Sequence, residues 1–130
     1  MADFLKSMSM AASGMAAQAA RLRVTTENMA NADTPGYQRK VMPFEHSFDT
    51  TTGTTRVKPG TLYLDQGEYR SIYDPNHPMS KGDGYVELSN VDVIVEMADA
   101  REAQRSYEAN VKMFDQARQM SSSLLDLLRR

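Results

Sequence analysis

The chain has 130 residues and a nearly balanced charge of −2, from 15 Lys and Arg against 17 Asp and Glu. It has no cysteine, which excludes disulfides and thiolate metal sites, and no apolar run of ~18 residues that would form a membrane-spanning helix. Residues 1–40 carry +2, 41–90 carry −3 and 91–130 carry −1, so no segment is basic enough to neutralise phosphates, and nucleic acid is not an expected partner.

Apolar content is thin where it matters. Leu, Ile, Val and Phe together number 23, and the rest of the hydrophobic fraction is largely Ala and Met. A chain with so few large apolar side chains builds a small core, and its burial is expected to be completed by neighbours.

In chain order, residues 4–31 read as a helix with a seven-residue repeat. Met8, Met15, Leu22 and Met29 lie seven apart, and Leu5, Ala12, Ala19 and Thr26 fill the complementary positions. That pattern predicts a coiled-coil-like seam about 42 Å long. Met8–Ala20 has the small-residue character of a secretory leader. It lacks Leu, Ile, Val and Phe, so a cleaved leader is not expected. Pro35 disfavours helical backbone at Thr34, and the helix is expected to stop before it.

Residues 36–90 hold four of the five prolines and all glycines but Gly14. Arg56–Lys58 and Thr61–Leu64 flank the turn dipeptide Pro59–Gly60 and read as a hairpin. Tyr69–Tyr73 and Gly84–Leu88 are further strand candidates, and Thr50–Thr55 reads as an exposed, mobile tip. Residues 91–129 return to helical spacing through Ala100, Ala103, Tyr107, Val111, Phe114, Ala117, Ser121, Leu124 and Leu128. Asn90 is the expected N-cap, Asp92 complements the helix dipole, and Glu108–Lys112 and Asp126–Arg130 are expected i,i+4 pairs. The last two turns, with Leu125 and Leu128, are expected to pack against neighbouring subunits.

The expected fold is therefore α+β. Two long terminal helices form a coiled-coil-like pair, with residues 1–35 and 91–130 as its halves and 36–90 as a small β-rich insert. The expected helix-packing residues are Leu5, Met8, Met15, Leu22, Met29, Tyr107, Val111, Phe114, Leu124, Leu125 and Leu128.

A catalytic reading finds little to stand on. His46 and His77 are the only histidines, and neither sits in a metal-ligating, nucleophile-elbow or phosphate-loop pattern. The carboxylates of the C-terminal helix alternate with Arg and Lys, as on a solvated, salt-paired face. No catalytic, cofactor-binding or metal-binding residue is assigned, and the expectation is a protein that is not an enzyme. The N-terminal helix has no Lys-rich polar face and no aromatic side chain beyond Phe4, which argues against membrane insertion.

Two segments carry more information. Residues 28–37 run Asn28, Met29, Ala30, Asn31, Ala32, Asp33, Thr34, Pro35, Gly36, Tyr37. Read physically they are a helix exit: Asn28 and Asn31 are able to bond backbone groups, Thr34–Pro35 enforces extension, and Gly36 supplies any positive φ. The second segment is Ser89, Asn90, Val91, Asp92 and Val93, then Glu96–Met97, and then Gln104–Asn110. Together, in this order and at opposite ends, they resemble the two terminal signatures of the flagellar rod, hook and hook-filament junction family. Tyr73–Pro78, with Gly84–Val86 and Asn90–Asp92, is similar to the short proximal-rod members.

That resemblance implies a structural subunit of the proximal rod of the bacterial flagellum, part of a drive shaft that transmits torque from motor to hook. It implies export from the cytoplasm by the flagellar type III apparatus, a final place in the basal-body rod in the periplasmic space, and helical assembly with copies of itself and other rod proteins. Phe44–Phe48 is similar to the export signal of early substrates. It implies no cofactor. The alternatives are another proximal rod subunit of the same family, or a soluble helical export chaperone or binding module.

Overall fold

The computed structural model describes residues 2–130. Two long helices run antiparallel: α1 (Ala2–Ala30) and α2 (Val93–Leu128). Between them lie β1 (Lys40–Val41), β2 (Phe44–Asp49), β3 (Thr54–Pro59), β4 (Tyr63–Leu64), β5 (Ser71–Tyr73) and β6 (Tyr85–Glu87). The strands form three separate antiparallel pairs, β1–β4, β2–β3 and β5–β6. The broad architecture is the expected one, two terminal helices packed together with a small antiparallel-strand insert.

Close approach of the helices comes from small side chains. On α1 the buried residues are Ala11, Ala17, Ala20, Val24, Thr25 and Asn28; on α2 they are Glu96, Ala103, Ala117 and Ser121. A Cβ built on Gly14 would lie 2.7 Å from Asn110 Oδ1, so the Asn110 side chain of α2 occupies the space beside Gly14. Met8, Met15, Leu22 and Met29 are half-buried, while Leu5, Ala12, Ala19 and Thr26 are exposed. On α2, Val111, Phe114 and Leu124 are half-buried, and Tyr107, Leu125 and Leu128 are exposed.

The insert folds back along α1. Strand β3 packs on it, and Thr54 at its start is buried. The expected hairpin across Pro59–Gly60 does not form. Arg56–Lys58 pairs instead with Glu45–Ser47, and Tyr63–Leu64 pairs with Lys40–Val41. The reason lies at Thr50–Gly53. Asp49 Oδ1 accepts hydrogen bonds from the backbone N–H of Thr51 (2.9 Å) and Thr52 (3.4 Å), the Gly53 N–H reaches Asp49 O at 2.8 Å, and Gly53 takes φ +67°. A segment expected to be a mobile tip is a hydrogen-bonded hairpin turn, and its Thr55 pairs with Phe48. The Gly60 N–H meets Pro43 O at 2.7 Å, so Pro59–Gly60 marks the end of that hairpin.

Helix α2 starts at Val93, two residues later than the expected 91. Asp92, at φ −99° and ψ 108°, is the N-cap and accepts from the Ile94 N–H at 3.0 Å. Asn90, the expected cap, is drawn into other contacts. The expected pairs Glu108–Lys112 and Asp126–Arg130 are absent among the described residues, and Arg118 pairs with Asp115 at 3.5 Å instead. Solvent competes well for such exposed groups.

Candidate functional site

The largest fully buried side chain in the described structure is a carboxylate, Glu96, with 0% exposure. It sits in the first turn of α2, within the run Val91–Met97, which is otherwise apolar except for its cap Asp92. A buried carboxylate persists only when charge and hydrogen bonds surround it. The first turn of α2 places it against the end of α1 and the strand that follows.

Three elements meet there. Arg39 donates from Nε to Glu96 Oε1, and Asn28 Nδ2 donates to Glu96 Oε2 at 3.3 Å. Asn28 is itself only 1% exposed. Its Nδ2 also reaches Lys40 O at 2.9 Å, and its Oδ1 accepts from the Lys40 N–H at 3.0 Å and from Tyr37 Oη at 2.9 Å. The amide thus pairs with the Lys40 backbone as a neighbouring strand would. Lys40 Nζ pairs with Glu27, one turn back on α1.

Arg39 is the hub. Its Nη1 lies 3.6 Å from Asp65 and its Nη2 lies 3.6 Å from Asp99. The Arg39 N–H donates to Asn90 Oδ1 at 2.6 Å, and Asn90 Nδ2 donates to Asp65 O at 2.9 Å. Arg21 of α1 reaches Asp99 and Glu102 of α2 at 3.4 Å each and lies over the Phe44 ring. Burial alone would lower the Arg39 pKa; the hydrogen bond and charge of Glu96, with Asp99 and Asp65, outweigh it and hold the guanidinium above its ordinary value. Burial is also the leading cause raising the Tyr37 hydroxyl, with Glu27 adding to it.

The rest of the helix exit is tied down in the same region. Asn31 Nδ2 donates to Glu27 O at 2.9 Å, and Thr34 Oγ1 donates to Asn31 Oδ1 at 3.1 Å. Gly36 takes φ +74° and gives its N–H to Leu88 O at 2.8 Å, a bond between the exit of α1 and the approach to α2. Ser89 Oγ, fully enclosed, donates to Ala32 O. Val91 is buried beneath it, Pro35 is half-buried, and Ala30 and Met97 are exposed. Asn110 stands apart, over Gly14, with Nδ2 bonded to Ser106 O at 2.9 Å.

Chemically, the arrangement holds things together. Each carboxylate around Arg39 faces a guanidinium, and a cavity of only about 60 Å³ opens among Arg21, Asn28, Arg39 and Glu96. No group of three or more His, Cys, Asp or Glu among the described residues is placed to hold a metal. His46 lies on β2 opposite Val57, and His77 Nδ1 accepts from the Met79 N–H in a turn at 3.0 Å. Neither belongs to the network. The structure brings Asn28, Tyr37, Asn90 and Glu96 together, and keeps the expected packing residues on the helix flanks and ends. Sequence reasoning missed Arg39, Lys40, Arg21, Asp65 and Asp99. The available signal was Arg39–Lys40 directly after Tyr37, paired with one glutamate inside an apolar helix start.

Asn28 and Tyr37 lie in one segment that matches a known family and Asn90 and Glu96 lie in another, while Arg39, Lys40 and Asp65 fall between the two. Residues 8–38 match the family described as flagella basal body rod protein, and residues 83–127 match the flagellar basal body rod FlgEFG protein C-terminal family. The chain is 44% identical over 126 residues to flagellar basal-body rod protein FlgC of Agrobacterium fabrum, covering 92% of this chain and 91% of that one. It is 33% identical over 123 residues to the Salmonella typhimurium protein of the same name, covering 90% and 92%. Against that of Aquifex aeolicus it is 33% identical over 121 residues, covering 88% and 89%.

Proposed function

The chain belongs to the family of flagellar basal-body rod protein FlgC, and from that premise we propose how its parts serve the rod. It is a structural subunit of the flagellar basal-body rod, and the matched families are structural rather than catalytic. The finer reading places it in the proximal rod, as part of the shaft that carries torque from motor to hook, after export by the flagellar type III apparatus. Its partners are copies of itself and other rod proteins; nucleic acid and membrane insertion have no part in the role.

The working divisions are residues 1–35 and 91–130 as the helical core and 36–90 as the insert. Leu5, Met8, Met15, Leu22 and Met29 on α1, with Tyr107, Val111, Phe114, Leu124, Leu125 and Leu128 on α2, form the surface offered to neighbouring subunits. Asn28, Asn31, Pro35, Gly36 and Tyr37 set the exit of α1, and Asn90, Asp92 and Glu96 set the return into α2.

One observation carries the reading: buried Glu96 binds Arg39 and Asn28, and so joins the two family segments at one junction. A shaft under torsion needs its insert fixed to its helices, and this ionic junction is what fixes it. The test is a strain lacking the gene, complemented with wild-type chain or with the Arg39→Ala/Glu96→Ala pair. Wild-type chain restores complete basal bodies and swimming, whereas the double variant gives few or none. Complete rods in the strain without the gene would overturn the reading.

A further inference from the structure

The β2–β3 hairpin is seated on α1 with its polar face inward. Side chains two apart on a strand share a face, as do those directly opposite on its partner. The register therefore places Ser47, Asp49, Thr54 and Arg56 on one face and Phe44, His46, Phe48 and Val57 on the other. Thr54 and Arg56, with Thr52 of the turn, line a cavity of about 210 Å³ against Leu5, Lys6 and Ser9 of α1. The aromatic face is left to solvent, with Phe48 63% exposed. Burial of apolar surface favours the reverse arrangement. Among the described residues, the hairpin's ion pair, Lys58 with Glu45 at 3.7 Å, and its side-chain hydrogen bonds, around Asp49 and Thr52, stay within it. Its tie to α1 beyond packing is at its base, where Arg21 lies 5.9 Å from the centre of the Phe44 ring.

The two arms of the hairpin leave through prolines, Pro43 before β2 and Pro59 at the end of β3. The Gly60 N–H donates to Pro43 O at 2.7 Å and holds the arms together there. Below that point β1 pairs with β4, next to Arg39 and Asp65. We propose that the hairpin is a hinged arm, which shields part of α1 in the lone chain and lifts from it when the chain joins the rod. Lifting gives up a polar contact that already encloses a cavity, and it leaves the β1–β4 pair and the Glu96 junction closed. The inference rests on the reading of Leu5 and its companions as the surface offered to neighbouring subunits. The seated arm stands beside Leu5 and over Ser9, so it keeps that stretch from being engaged too early.

The chain has no cysteine, so an introduced thiol reports one position alone. Thr54, under the arm, is 7% exposed, and Ala103, between the helices, is 0% exposed. In the purified full-length chain, a maleimide is expected to alkylate Thr54→Cys at least about tenfold faster than Ala103→Cys, because the arm opens without parting the helices. Ser9→Cys reads the same opening from the α1 side, and circular dichroism checks that each chain keeps its helices. Equal rates at positions 54 and 103 would overturn the hinge. Ser9→Cys/Thr54→Cys is expected to tether the arm through a disulfide, which the oxidising periplasm preserves. Cells with that chain should build few or no rods until a reductant is added, whereas either single-thiol chain should build them. Failure of the disulfide to form in the purified chain would overturn the seated form, and rods that contain the intact disulfide would overturn the need to lift. In both cases rods built from the single-thiol chains would leave the rod-subunit reading standing.

Discussion

Arg39 Nε donates to Oε1 of Glu96, a carboxylate with no exposed surface, and that pair ties the strand leaving α1 to the first turn of α2. Removing the guanidinium leaves Glu96 buried with Asn28 as its remaining donor. Arg39→Ala is expected to cost about 3 kcal/mol, the lower end for a broken buried pair because the Arg39 side chain keeps 24% exposure. Glu96→Gln, which keeps the shape and loses the charge, should cost about 1–2 kcal/mol. Urea unfolding measures both. Changes under about 0.5 kcal/mol for the two variants would mean that the junction does not hold the fold together.

Gly14 of α1 faces the Asn110 side chain of α2 with no space for a Cβ. Gly14→Val is expected to destabilise the chain by about 1–3 kcal/mol through overpacking. Asn110→Ala in the same chain should return part of that loss by opening the space. Additive losses in the double variant would contradict the close contact.

How much of this was legible in the sequence varies with the physics of each part. The terminal helices and the exit at Thr34–Pro35–Gly36 are local features, set by periodicity and backbone restriction, and they were readable. The face of α1 that meets α2 was not. Met8, Met15, Leu22 and Met29 form the more regular repeat and are half-buried, whereas Ala11 and Ala17 are fully enclosed, and pattern counting favours large side chains over small ones. The hairpin was misplaced because Pro59–Gly60 looks like a turn, while the Asp49 side chain makes the real one at Thr50–Gly53. Glu96 stood out within its family-like segment, yet its partner Arg39 lies 57 residues away in the chain. No local rule connects them.

Stability should fall at alkaline pH. Burial, with Glu27, raises the Tyr37 hydroxyl above its ordinary 10.0, and the hydrogen bond to Glu27 raises Lys40 above its ordinary 10.5. For groups raised by folding, the stabilising contribution is complete below the ordinary value and is lost as pH rises through the raised one. The thermal midpoint is therefore expected to drop above pH 10, and Tyr37→Phe should make the drop shallower. An identical pH profile in that variant would contradict the role given to Tyr37.

Leu128→Asp tests the division between folding and assembly. Leu128 is 72% exposed, so the isolated chain should lose less than about 0.5 kcal/mol. In the rod the same charge would be buried at every repeated contact, and motility should be lost. Normal spreading in soft agar would show that this end of α2 is not an assembly surface.

The most direct test of the account is electron cryomicroscopy of isolated basal bodies that carry a label on this subunit. The predicted result places the label in the rod, with α1 and α2 packed in its wall and Glu96 enclosed by Arg39 and Asn28. A label found outside the rod, or rods complete without the subunit, would contradict the central claim.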